Sequence, residues 1–220
     1  MDKLKKYVVN LKRRPDRLET FRKACPFNDV ELVYGFDGKF PRTELAKEVK
    51  MFKTFTKILP GERGCFISHL RIYEDMVKKN IPCALIMEDD AIFCEGFKEK
   101  ITTFFDELPK DFVMAYVGGR FTENFLMQPQ SCISISPHVD QHRLFSTTWV
   151  GGYDHDRTTH AYIITNEGAT MLHNSYKVIS EMSITVDDWM LRILTKNSVK
   201  LYNARPHLCY SPMRGDSDIR

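Results

Sequence analysis

A chain of 220 residues, 43% hydrophobic and 28% charged, has the composition of an ordinary globular protein and the length of one domain, residues 1–220. At this size folding buries roughly 70% of the extended-chain surface, so the core needs neither a disulfide nor a structural metal to support it. A formal net charge of +3 is too small to signal a nucleic-acid partner.

In chain order, "KYVVNL" predicts a first buried strand. Pro15 then opens a helix at its first turn, with Leu18, Phe21 and Ala24 on one face. "DVELVYGFDG" predicts a second strand that ends in a turn at Asp37 and Gly38. "LPGERG" is a cluster of breakers, and after it Phe66, Leu70, Tyr73 and Val77 recur at helical spacing. "CALIM" is a short apolar run expected to be a central parallel strand, "FKEKITTFFDEL" an amphipathic helix, and "DFVMAYVGG" another apolar strand. Residues 120–150 are irregular and rich in Gln, Ser, Pro and His, which predicts a long loop or an excursion from the sheet. "HAYIIT" predicts a strand and "NEGATMLHNS" a turn and short helix. "DDWMLRILTKN" predicts a helix N-capped by Asp187, with Trp189, Ile193 and Leu194 inward, and "SVKLYNARP" a last strand. Strands alternating with helices make an α/β fold with a mostly parallel open sheet, whose ligands sit beyond the carboxyl ends of the strands.

Three consecutive acids, Glu88, Asp89 and Asp90, follow "CALIM" directly and so fall in that crevice. Alternation in an extended segment puts Glu88 and Asp90 on one face and turns Asp89 away. Hard oxygen donors suit Mg²⁺ or Mn²⁺ rather than zinc, although exposed acids at a strand end need hold nothing. The first 25 residues carry nine Lys/Arg against three Asp/Glu, which reads either as a solvated basic end or as an anion site. "NLKRRPDR" would open on the same sheet edge, so that Arg13, Arg14 or Arg17 reaches a phosphate. The six cysteines (Cys25, Cys65, Cys83, Cys94, Cys132, Cys209) form no Cys-x-x-Cys pair and no zinc spacing, as expected of a reducing compartment. No apolar leader precedes the first strand, and no stretch approaches the roughly 20 apolar residues that span a bilayer. A cytoplasmic location is expected, with peripheral membrane association left open.

The strings "VVNLKRRPDRLE", "GFDG", "GERGCFISHLRIYEDMV", "ALIMEDDA", "THAYIITNEGATML", "ITVDDWM" and "SDI" occur in an order that resembles glycosyltransferase family 25, which includes lipopolysaccharide-type and collagen galactosyltransferases. The most specific part is Gly61–His69 followed by Glu-Asp-Asp after a strand. The resemblance implies a single Rossmann-like A-type glycosyltransferase fold, with the donor side in roughly 1–119 and the acceptor side in roughly 120–220. It implies metal-dependent transfer of a hexose, galactose or glucose, from a UDP-sugar to a hydroxyl of a glycan or glycoconjugate acceptor, with inversion. Carried over, Glu88 and Asp90 hold Mn²⁺ (or Mg²⁺) against the donor diphosphate, and Asp89 contacts the donor sugar or ribose. Asn10, Arg13, Arg17 and Asp37 fall on the nucleotide side, and Ser68 and His69 on the cleft helix. Asp187, with Asp188 second, would be the base that an in-line displacement needs within hydrogen-bond reach of the acceptor hydroxyl.

Each assignment has a plainer counterpart. Asp187 is equally read as a helix cap, worth about 1 kcal/mol, and His69 as a satisfied core histidine. Trp149, Tyr153 and Trp189 line either an acceptor platform or the core. A third metal ligand would come from His207, Asp216 or Asp218. The short segment before the terminal Ser-Asp element departs from collagen-modifying relatives. A catalytically inactive nucleotide-sugar-binding accessory protein is the main alternative. A phosphohydrolase fits less well, because Glu88 stands where its nucleophilic Asp is needed.

Overall fold

The computed structural model describes residues 4–39, 54–55, 57–120, 132–142, 158–179 and 181–211. Strand β1 (Lys5–Leu11) leads into α1 (Pro15–Ala24), which has Pro at its first turn, and returns through β2 (Val30–Gly35), parallel to β1. Helix α2 (Pro60–Lys78) then leads to β4 (Cys83–Glu88) on the other side of β1, again parallel; β3 (Thr54–Phe55) lies before the helix. After β5 (Ile92–Phe93) come α3 (Phe97–Glu107), β6 (Met114–Tyr116) and β7 (Gly118–Arg120). The chain continues through β8 (Cys132–Ser134), β9 (Val139–His142), β10 (Ala161–Thr165) and α4 (Asn166–Lys177). It closes with β11 (Glu181–Met182), α5 (Val186–Lys196), β12 (Leu201–Ala204) and β13 (Cys209–Ser211).

The main sheet has eight strands in the order β2-β1-β4-β10-β6-β12-β9-β8. Side chains alternate between its two faces as the strand period requires. In β4, Ala84 and Ile86 join one apolar layer, with Phe66, Tyr73, Met76, Leu172 and Trp189 from α2, α4 and α5. Leu85 and Met87 join the other, with Leu18, Phe21, Phe97, Ile101 and Phe104 from α1 and α3. Helices therefore cover both faces. The connections leaving the neighbouring strands β1 and β4 pass through α1 and α3 on the same face but lead in opposite directions along the sheet, to β2 on one side and to β6 on the other. Their carboxyl ends border a topological switch point, where open α/β sheets form ligand crevices.

The α/β class follows the sequence expectation, but the sheet is mixed rather than mostly parallel. β10 runs antiparallel to both neighbours, β4 and β6, and β9 runs antiparallel to β12 and β8. "AYIIT" is buried on both faces, and a run buried on both faces carries no mark of its direction. This reversal has a functional consequence. With Ala161 opposite Met87, residues 158–160 arrive at the carboxyl end of β4, and Glu88 donates its amide to the His160 carbonyl at 2.9 Å. Part of the irregular 120–150 stretch supplies the edge strand β8 and its neighbour β9.

Two helix starts also differ from expectation. α2 begins at Pro60, five residues before Cys65, and takes in the breaker cluster. Pro is tolerated there because the first-turn amides have no helical acceptor, and the Glu62 carboxylate accepts the Leu59 amide at 2.6 Å. Gly64 and Gly38 serve close approach: a Cβ on Gly38 would lie 1.5 Å from the Pro60 carbonyl oxygen, and one on Gly64 2.5 Å from that of Phe36. α5 is N-capped at Thr185, not Asp187, which occupies the first turn. Trp189 and Leu194 are buried as expected, and Trp189 packs on Phe66 with ring centroids 4.9 Å apart, as core rather than as a platform. Trp149 and Tyr153 lie outside the described residues. No helix among the described residues is long and apolar enough to cross a membrane.

Candidate active site

The cleft at the switch point spans about 610 Å³, its open mouth included. One wall is the loop after β2. The hydroxyl of Ser68 donates to the Gly64 carbonyl at 2.6 Å and accepts the Phe36 amide at 2.9 Å, so Ser68 clamps this loop to α2. Asp37 is held by Arg13 Nε at 2.5 Å. Asn10, Arg17, Asp37, Ser68, His69, Glu88, Asp89 and Asp90 all line this one cleft.

The three acids meet three different environments. Asp89 continues the β1–β4 ladder, its amide donating to Val9 O at 3.1 Å. Its carboxylate accepts Asn10 Nδ2 at 2.6 Å and pairs with Arg17 at 2.5 Å. Burial nevertheless pushes its pKa up to about 6; Arg17 and Asn10 pull the other way, and the charges of Asp90 and Glu88 add to the rise. Glu88 is different. Burial again opposes its charge, but the imidazoles of His160 and His69 outweigh burial and hold its carboxyl well below the usual range. Asp90 pairs with Arg17 at 3.0 Å and accepts the Ser211 hydroxyl at 3.0 Å through the same Oδ2. Its Oδ1 is buried and accepts no hydrogen bond from the described residues.

That oxygen faces His160 Nδ1 at 3.9 Å, and Glu88 Oε2 lies 3.8 Å from the same nitrogen. Ligand atoms of Glu88, Asp90 and His160 all fall within 4.8 Å of one another. A buried carboxylate oxygen with an unfilled lone pair, beside a second carboxylate and an imidazole, fits a divalent cation. Two hard oxygens and one nitrogen suit Mn²⁺ better than Mg²⁺, which prefers an all-oxygen shell. His160 was missed in the sequence because its approach depends on the antiparallel direction of β10. Of the tail residues expected to supply a third ligand, His207 belongs to neither metal-capable group among the described residues, and Asp216 and Asp218 lie outside them.

His69 is 0% exposed and turns into the wall. Its Nδ1 hydrogen-bonds Tyr162 OH at 2.7 Å, Tyr162 hydrogen-bonds Tyr73 OH at 2.7 Å, and Nε2 meets Glu88 Oε1 at 3.3 Å. If Nδ1 accepts from Tyr162, Nε2–H donates to Glu88 and the chain holds that carboxylate in place. Asp187 and Asp188 stand in the first turn of α5, outside the cleft lining. Asp187 still acts on the site electrostatically. Burial raises the Cys65 thiol well above its usual range, and the charges of Glu88 and Asp187 raise it further.

The sequence profile of glycosyltransferase family 25 (LPS biosynthesis protein) matches residues 3–190. Among curated proteins, procollagen galactosyltransferase 2 of Homo sapiens is 25% identical over 179 residues, covering 76% of this chain and 26% of that protein. Procollagen galactosyltransferase 1-A of Xenopus laevis is 24% identical over 213 residues, covering 90% and 32%. A Bos taurus relative, "Probable inactive glycosyltransferase 25 family member 3", is 27% identical over 132 residues, covering 52% and 20%. The chain spans between a fifth and a third of the length of these relatives. A solved structure of mouse xyloside xylosyltransferase 1 aligns with a TM-score of 0.39 and 12% identity, over 89% of this chain and 69% of that one.

Proposed function

We propose, starting from the fact that this chain belongs to glycosyltransferase family 25, that it transfers a galactosyl or glucosyl group from a UDP-sugar to a hydroxyl of a glycan or glycoconjugate, with inversion and with Mn²⁺. The observation that carries the reading is the convergence of Glu88, Asp90 and His160 beside Arg17 at the switch point. The names of the procollagen galactosyltransferase relatives favour galactose.

Glu88, Asp90 and His160 would hold the ion, which when bound supplies Lewis-acid stabilisation to a departing diphosphate. Arg17 supplies a fixed cation on the same side, and Asn10 orients Asp89. Asp89 then presents a carboxylate at the cleft floor for a ribose or sugar hydroxyl. Arg13 and Asp37 fix each other at the nucleotide end of the cleft. Asp187 is the proposed base, receiving the acceptor hydroxyl's proton as that oxygen attacks the anomeric carbon, with Asp188 next to it. The donor side is assigned to roughly 1–119 and the acceptor side to roughly 120–220, within a single domain.

The test is UDP release from a panel of UDP-sugars with Mn²⁺ and candidate glycan acceptors, alongside thermal-shift binding of the same donors. Turnover with one donor supports the reading. Tight donor binding without transfer or hydrolysis would instead assign an inactive nucleotide-sugar binder, the condition named for the Bos taurus relative.

A further inference from the structure

On the opposite side of Glu88 from His160 lies a second group of ligands, of which the proposed transfer reaction uses only Glu88. Cys65 Sγ lies 3.7 Å and His69 Nε2 3.3 Å from Glu88 Oε1, and the three ligand atoms fall within 4.8 Å of one another. Bond lengths of about 2.3 Å for Zn–S, about 2.0–2.1 Å for Zn–N and about 2.0–2.2 Å for Zn–O give tetrahedral edges of about 3.6 Å (S···O) and about 3.4 Å (N···O). The observed separations match those edges. We infer that Cys65, His69 and Glu88 form a site for a thiophilic divalent cation, Zn²⁺ in its chemistry, that competes with the hard-cation site for Glu88.

Charge and support agree with the geometry. A thiolate and a carboxylate neutralise a dication in a wall where unbalanced charge is costly. The imidazole is anchored behind by Tyr162 and Tyr73, the kind of outer partner that orients a metal-binding histidine. Cys65 is only partly buried and lines the cleft, so an ion has a path to it and a fourth coordination position remains on the open side. In the ion-free protein the thiol proton occupies this place, Cys65 donating to Glu88; on binding, that proton leaves to solvent, and His69 takes the tautomer in which Nδ1–H donates to Tyr162 and Nε2 is free to ligate. Glu88 faces this group through Oε1 and His160 through Oε2. A soft ion on the Oε1 side draws the carboxylate away from Asp90 and His160, and so regulates the Mn²⁺ site of the proposed function, on which this last consequence rests.

The experiment uses Co²⁺ alone as a probe of the metal-free protein. The expected result is a near-ultraviolet thiolate-to-cobalt charge-transfer band that saturates at one equivalent and is erased by Zn²⁺. Cys65→Ser, nearly isosteric, should lose the band, and His160→Ala should keep it. Tyr162→Phe should bind Co²⁺ about 10- to 100-fold more weakly. Zn²⁺ should weaken Mn²⁺ binding, read by electron paramagnetic resonance, by about tenfold or more, and Cys65→Ser should remove that effect. Cobalt binding without the band, or a band that survives Cys65→Ser, overturns the site. Mn²⁺ affinity indifferent to saturating Zn²⁺ overturns the competition. An absence of sugar transfer with the cobalt band intact would count against the proposed function and leave the site standing.

Discussion

Replacing Asp89 with Asn should stabilise the metal-free protein near neutral pH and do so less as the pH falls. The Asp89 side chain is 9% exposed, and burial lifts its pKa from an ordinary 3.8 to about 6. That difference corresponds to about 3 kcal/mol of preference for the protonated form in the folded state. The sign follows from linkage. The folded state holds this proton more tightly than the unfolded chain, so stability from Asp89 is fully present below 3.8 and is lost as the pH rises through about 6. Asn carries no such titration. It keeps an oxygen for Asn10 Nδ2, and Arg17 keeps Asp90. Relative to wild type, the variant should therefore gain about 2 kcal/mol between pH 4.5 and pH 7.5. In urea this is a change of about 1 M in the difference between midpoints, for a slope of about 2 kcal/mol per M. Chelated samples of both proteins, melted in urea at four or five pH values, give the measurement. A constant offset between wild type and variant across that range would refute the reasoning, because it would show that Asp89 titrates alike in folded and unfolded chains.

Three further substitutions test other parts of the site. His160→Ala should lower Mn²⁺ affinity at least about tenfold, measured by electron paramagnetic resonance, while circular dichroism stays unchanged. Gly38→Ala places a methyl 1.5 Å from the Pro60 carbonyl oxygen and should cost about 3 kcal/mol or more in thermal or urea melts, because backbone must move. Asp187→Asn should leave UDP binding intact and cut turnover about 10²- to 10⁴-fold, read as kcat falling with KM held.

The sequence made the start of the fold and the position of the acids legible. Apolar "KYVVNL", Pro15 at a helix start and "CALIM" before three carboxylates are local signals, and each element forms where its own residues place it. What it concealed were features set by distant pairing. The direction of β10 is not written in "AYIIT", so nothing in the sequence showed that residue 160 would stand beside residue 88. Ser211 reaches Asp90 only because β13 forms a separate three-stranded sheet with β5 and β7. "SITVDD" offers two good caps two residues apart, and burial of Val186 and Trp189 selects Thr185. In "LPGERG" the glycines read as breakers because the loop they must accommodate, around Gly38, is more than twenty residues away in sequence.

Three adjacent carboxylates in a partly buried cleft ought to repel one another, and the fold resolves the conflict by giving each a different set of partners, with Arg17 shared between Asp89 and Asp90. Asp89 is turned toward β1, where Asn10 and Arg17 receive it, and even there burial leaves it only weakly acidic. Glu88 is turned toward α2 and β10, where two imidazoles hold it ionised. Asp90 is left with one oxygen satisfied by Arg17 and Ser211 and the other buried and facing His160. A fold that satisfied Asp90 fully would gain stability there and lose the open lone pair. The unfilled oxygen is thus the point at which local stability is given up, and it lies where Glu88 and His160 can share a dication with it.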